Sequence, residues 1–281
     1  PYVAGFDRQK PRNTIFIIGE KSSGRHTSVE AVVELLNKNK VLNSDTISRV
    51  DLSIYPTISE ESIFLSDLYK SLYLDSEVIV FDSFEKCNLS FIDIISKLVI
   101  DGKYRLNARY GVQNKNLVEA TGVLMKDSIS EISSNGKYFV FITEQNGNKI
   151  VDTFGSEFMA CVWDILSMDN YSNKELVRIA EKSLRKLSLK CNNNLSLLLK
   201  YDNNLAEYCI EKYSHSTGID GVVKYINENI YKPLSEYKLK NKIPPFTTVE
   251  LFISNDKIMA NLKGNQLSEA VDLSKVLINK Y

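Results

Sequence analysis

Gly19 and Gly24 stand five positions apart, and Arg25, His26, Thr27 and Ser28 follow at once. Two glycines at that interval let a loop turn its backbone N–H groups toward an anion, and a cation just after the second glycine would meet its charge. The complete phosphate-loop pattern is G-x-x-x-x-G-K-[ST], in which Lys reaches the outer phosphates and the hydroxyl holds Mg²⁺. In this chain the Lys position carries Arg25 and the hydroxyl position carries His26. Arginine keeps the charge on a bulkier, planar group. Neutral imidazole does not replace an oxygen ligand of a hard cation. Thr27 comes one position late and would serve only after a register shift. The frame of a phosphate loop is therefore present with altered chemistry, and alone it is equally the signature of an ordinary strand-to-helix turn. A second candidate is Asp82, a carboxylate at the end of the apolar run 78–81 (VIVF).

These residues need a strand, a loop and a helix to position them. Residues 14–18 (TIFII) read as a buried strand, and Val29, Val32, Val33 and Leu36 mark one face of a helix that Thr27 or Ser28 can cap. Further along, 48–52 reads as a strand, 59–73 as a helix and 78–81 as a strand. An apolar helix over 91–99 stops at Asp101-Gly102. The stretch 103–135 is harder to read, with β-like pieces around 117–125 and a Ser-Ser-Asn-Gly break. Strands are expected at 138–143 and 161–168. Strands alternating with helices argue for a parallel sheet covered on both faces. From Asp169 the pattern turns to helix and polar loop. Ser172 and Glu175 form a capping box for a helix reaching about Leu187. Helices follow at 202–213 and at 221–239, the latter kinked at Pro233. Pro244-Pro245 ends the helical part, 247–254 and 257–262 form a hairpin across Asn255-Asp256, and a tail helix spans 266–280.

The 281 residues allow one large domain and a smaller one. Lys+Arg and Asp+Glu both total 35, which gives no net charge to draw nucleic acid or an anionic membrane. A hydrophobic fraction of 43% with 25% charged residues is that of an ordinary globular chain. No apolar run approaches the roughly 20 residues of a membrane span, and the amino terminus lacks the form of a signal peptide. The start at Pro1 is compatible with an excised fragment. Cys87, Cys161, Cys191 and Cys209 are scattered and read as reduced, mostly buried thiols. His26 and His215 are too few for a zinc site.

Several segments together carry a resemblance. GFDRQKP at 5–11, RVDLSIY at 49–55, the gapless stretch VIVFDSFEKCNLSFIDIISKLVIDG at 78–102, FGSEFMACVWDILSM at 154–168 and INENIYKPLSEYKLKNKI at 226–243 occur in the order found in one family. The chain resembles the Clp/Hsp100 group of AAA+ unfoldases, in particular the carboxy-terminal ATPase module of ClpA, ClpB and ClpC. The likeness covers most of the chain outside 56–77 and 103–135. It implies an α/β fold, with an AAA+ P-loop NTPase-like parallel-sheet domain over residues 1–168. A smaller, mainly helical Clp-type domain with a terminal β-hairpin would cover 169–264, and a tail helix 265–281.

The resemblance also implies where nucleotide chemistry would sit. Its binding positions fall on Gly19, Gly24, Arg25, His26, Thr27 and Asp82. Asp82 holds the Walker B position, and the next residue, where the family keeps the Glu that activates water, is Ser83. Glu85 is a stand-in only if it points into the site. The Arg-finger position aligns with Cys161, and the second sensing Arg falls near Asp220, with Lys224 able to compensate only after a helix shift. The first sensor is ambiguous within 126–146. The family's pore loop corresponds to 56–77, which is short and lacks glycine, so Tyr69 and Tyr73 are expected as core or groove residues. The reading is a pseudo-ATPase with no catalytic residues and no metal site. It requires no cofactor, and ATP or ADP would bind weakly. It would act as a cytoplasmic binding or assembly subunit whose partner is itself, an active Clp/AAA+ relative or another protein, and neither nucleic acid nor membrane. The alternative is a weakly active or nucleotide-gated ATP-binding subunit of a Clp-type chaperone or protease.

Overall fold

The computed structural model describes residues 10–74, 76–113, 116–119, 128–213, 218–263 and 270–276. The chain divides into two compact units, one of Pro1–Glu20 with Gly24–Asp169 and the other of Lys21–Ser23 with Asn170–Tyr281. Among the described residues no helix is long and apolar enough to cross a membrane.

The first unit is an α/β layer structure. Strands β1 (Asn13–Gly19), β2 (Ile47–Asp51), β3 (Val78–Asp82), β7 (Tyr138–Thr143) and β8 (Asp164–Met168) make a five-stranded sheet in the order β2-β3-β7-β1-β8, with every pair parallel. The runs TIFII, VIVF and YFVFIT are mostly apolar because β1, β3 and β7 are interior strands covered on both faces. Side chains alternate between the faces. Ile17, Val78, Val80, Val140 and Ile142 pack with Val29 and Val33 of α1 (Arg25–Lys38). Phe16, Ile79, Phe81, Phe139 and Phe141 face the other way, into the core built with α2 (Glu61–Tyr73), α3 (Leu89–Ile100) and α4 (Gly147–Ala160). Phe81, Phe141 and Phe16 stack in a row across three strands, with centroids 5.0 and 4.8 Å apart.

Between α3 and β7 the chain forms a second, antiparallel sheet of β4 (Lys103–Gln113), β5 (Asn116–Glu119) and β6 (Ile129–Ser133), ordered β5-β4-β6. Leu106, Tyr110, Leu117 and Ile132 join it to the large core. Of the pieces expected over 117–125, β5 accounts for the first residues, and 120–127 lie outside the described residues.

The second unit combines α5 (Asn173–Leu195), β9 (Leu197–Tyr201), α6 (Asn204–Lys212), α7 (Gly218–Ile226), α8 (Lys232–Asn241), β10 (Thr247–Ser254), β11 (Lys257–Lys263), β12 (Val271–Asp272) and the short α9 (Leu273–Val276). The Ser172–Glu175 capping box starts α5. The helix runs beyond Leu187 because Ala180, Leu184, Leu187 and Cys191 continue one buried stripe. The kink expected at Pro233 is a π turn at Asn227–Tyr231 just before it. A proline ring crowds the carbonyl four residues back, here that of Asn229, and a widened turn relieves that contact. Asn255 and Asp256 both have positive φ, 49° and 57°, the geometry of a two-residue hairpin turn, and β10 and β11 pair across it. The sheet order is β12-β11-β10-β9. Of the tail helix expected over 266–280, only Leu273–Val276 is described, as α9.

Other boundaries also move. Helix α1 starts at Arg25 with Gly24 as its cap, so Thr27 and Ser28 lie inside the first turn and cap nothing. The strand expected over 161–168 begins at Asp164, because Cys161 still closes α4, whose N–H bonds to Phe158. Helix α4 itself breaks at Gly155 (φ 77°, ψ 169°). Tyr69 and Tyr73 stack on each other at 4.4 Å, Tyr69 against the core and Tyr73 half exposed.

Phe16 has no exposed surface and contacts the rings of Phe84, Phe141, Phe154 and Phe158. Phe16→Ala is expected to destabilise the protein by about 3–5 kcal/mol, read as a lower urea midpoint. Burial pushes the thiols of Cys87 and Cys209 up to about 12 and that of Cys191 up to about 11. Iodoacetamide at pH 8 should therefore leave these three unlabelled in the folded protein and label them in urea; labelling of Cys209 without urea would contradict its packing.

Candidate functional site

The site follows from the strand order. From β1 the chain crosses to β2 at one edge of the sheet, and from β7 it crosses over β1 to β8 at the other. Adjacent strands whose chains leave in opposite directions open a crevice at their carboxyl ends, where α/β proteins place ligands. The register levels those ends: Asp82 lies opposite Ile142, and Ile142 opposite Ile17. Gly19, Asp82 and Thr143 thus reach one rim.

Beyond β1 the loop enters α1 through Gly24, whose φ of 87° and ψ of 11° are left-handed. A residue with a Cβ would be strained there. No side chain caps α1, and the first regular bond runs from the Ser28 N–H to the Gly24 carbonyl at 2.9 Å. The N–H groups of the first turn are left without helical partners, at the positive end of the helix dipole.

The two side chains that open α1 are engaged by carboxylates of the same unit. His26 Nε2–H donates to Asp82 Oδ1 at 2.8 Å. With strands about 4.8 Å apart and β7 between them, β3 lies about 10 Å from β1. The His26 ring closes the remaining gap between α1 and the end of β3. Arg25 is 7% exposed, and its guanidinium sits 3.5 Å from Glu144 Oε1, in the residue that follows β7. Glu144 is 54% exposed at its side chain, so the cation is sheltered while its partner stands in solvent. Thr143 Oγ1 donates to Glu85 at 3.3 Å and accepts from the Gln145 N–H at 2.9 Å. Ser83 has a left-handed backbone (φ 57°), and its N–H bonds to the Ile142 carbonyl at 3.4 Å.

Gly24, Arg25, His26 and Asp82 therefore meet at one rim, whereas Thr27 is exposed on α1. It is His26, not Thr27, that reaches Asp82. Cys161 lies at the end of α4, partly buried against the core. Asp220 is in the first turn of α7, within the second unit. Sequence reasoning passed over Thr143 and Glu144. Their role depends on β7 being the neighbour of β1, which no local pattern announces. An apolar concavity of the first unit lies elsewhere. It holds about 460 Å³ beside α1, between residues such as Ile15, Val32, Val33 and Leu166, with almost no polar group to orient a ligand. Among the described residues no three His, Cys, Asp or Glu side chains gather as a metal site.

No family model matches the chain, and no curated protein matches it. The architecture is a generic P-loop-like α/β unit with a central parallel sheet flanked by helices, followed by a more helical region carrying a small sheet. That shape is compatible with nucleotide binding or protein interaction.

The His26–Asp82 contact can be measured directly. Urea unfolding of the parent, H26A, D82A and the double variant should give a coupling energy of about 1 kcal/mol. Additive effects, with no coupling, would contradict the contact.

Proposed function

We propose that the chain is a catalytically degenerate AAA+ module of Clp/Hsp100 type, a pseudo-ATPase that serves as a binding or assembly subunit. The observation that carries this reading is the pairing of Arg25 with Glu144 and of His26 with Asp82. Both residues occupy positions that would otherwise face phosphate and Mg²⁺. A hard divalent cation needs oxygen ligands. Here the hydroxyl is an imidazole, and the nearest carboxylate oxygen already accepts that ring's proton at 2.8 Å. The residues present do not fit a magnesium nucleotide.

The remaining positions point the same way. Ser83 stands where the resemblance expects the Glu that activates water, and a neutral hydroxyl is no general base. A positioned base contributes about 10²–10⁴ in rate, and an arginine finger about 10³–10⁵. Cys161 at the finger position supplies no charge. Glu85 is hydrogen-bonded to Thr143 rather than free to take up the role. With these contributions missing together, the protein's work falls to its surfaces: assembly with itself, with an active relative or with another protein.

One observation favours the second reading, a nucleotide-gated subunit. The uncapped start of α1 retains donors for an anion. A thermal-shift titration separates the two. A nucleotide at 100 times its dissociation constant stabilises a fold by about 2.7 kcal/mol. The pseudo-ATPase reading expects no shift with millimolar MgATP or MgADP and phosphate release at the level of a buffer blank. It expects R25K/H26T, which restores the consensus pair, to gain a shift. Hydrolysis by the unaltered chain that is abolished by Asp82→Ala would overturn it.

A further inference from the structure

Strand β9 ends the sheet of the second unit. It pairs in parallel with β10, Leu197 opposite Thr247 through Tyr201 opposite Leu251, and no other described strand borders it. Alternate residues of β9 therefore turn N–H and C=O groups outward, away from β10, as a template for a further strand. Folded proteins commonly blunt such an edge by covering it or by presenting charge along it. Here the surroundings are mixed. Leu189 on α5 is 64% exposed and Leu198 on β9 is 41% exposed. Between the helix and the strand runs a shallow groove lined by Arg185, Ser188, Leu189, Leu199, Lys200 and Tyr201.

The charge on this side of α5 and β9 is mainly positive. Helix α5 carries six Lys or Arg residues against two Glu. Arg185, Lys186 and Lys200 are exposed and have no ion-pair partner among the described residues. Lys190 stands over the Tyr231 ring at 3.8 Å. The chain as a whole has no net charge, so this is a local feature and not a reflection of composition. Apolar side chains in the groove, cations on its rim and open backbone groups beside it make three complementary demands on one occupant.

We propose that β9 is a docking edge for an extended, acidic segment of a partner protein. The segment adds as a fifth strand beside β9. Its apolar residues pack on Leu189 and Leu199, and its carboxylates meet Arg185 and Lys200. Backbone pairing supplies the affinity, and alternating side chains supply the choice of partner. The site lies within the second unit and does not depend on the reading of the phosphate loop.

The test uses the full 281-residue chain and fluorescein-labelled heptapeptides followed by anisotropy. The probes are Glu-Val-Glu-Val-Glu-Val-Glu, its counterpart with Lys for Glu, the acidic peptide with alternate amides N-methylated, and a single-stranded oligo-uridine. The acidic peptide should bind, more weakly as salt rises. R185E/K200E should weaken it by about tenfold, the effect of two reversed surface charges. N-methylation should abolish binding, and bound peptide should slow hydrogen exchange at the amides of residues 197–201. The proposal is overturned by no binding of the acidic peptide, by equal binding of the lysine peptide, by indifference to N-methylation, or by preference for the oligonucleotide.

Discussion

The chemistry available to the first unit depends on the parallel register of β3, β7 and β1. Parallel strands whose ends are level deliver their following residues to one rim. Here the pairing Asp82–Ile142–Ile17 sets that level. The register is held from beneath by side chains of fixed period. Phe81, Phe141 and Phe16 stack on one face, and Val80, Val140 and Ile17 lie on the other. A slip of one residue would exchange the faces and set aromatic rings against α1, where the core accommodates valine and isoleucine. The same packing that stabilises the sheet therefore fixes which polar groups can meet above it.

At that rim the chain satisfies itself. A cation nine-tenths buried is costly unless paired, and Arg25 has Glu144. The open end of the helix places His26 beside Asp82. In a loop built for a nucleotide these carboxylate and hydroxyl positions would be left for the ligand and its metal. A planar guanidinium and an imidazole differ in kind from the compact ammonium and hydroxyl of such a loop. Both groups are thus engaged within the unit, which is compatible with the proposed role in protein binding.

Much of this was legible in the sequence, for identifiable reasons. Interior parallel strands read as near-continuous apolar runs, so β1, β3 and β7 stand out. The Ser172–Glu175 box and the Asn255-Asp256 turn are local motifs with local causes, and both appear in place. Strand β4 left a signal that went unread: Tyr104, Leu106, Ala108 and Tyr110 alternate with Arg105, Asn107 and Arg109. The full length of α5 was obscured by its polar end, LKCNNNL, where Cys191 alone continues the buried stripe. At the rim, Gly24, Arg25, His26 and Asp82 could be named from spacing. Their partners could not, because Glu144 meets Arg25 through a neighbouring strand more than a hundred residues away.

The most direct test of the account is a crystal structure of the full chain grown with a non-hydrolysable ATP analogue and Mg²⁺ at millimolar concentration. The account predicts that His26 remains hydrogen-bonded to Asp82 at about the 2.8 Å found here, with Arg25 against Glu144 and no triphosphate in the loop between Gly19 and Gly24. A triphosphate seated on that loop, with Mg²⁺ held by Asp82 and the imidazole swung away, would contradict it.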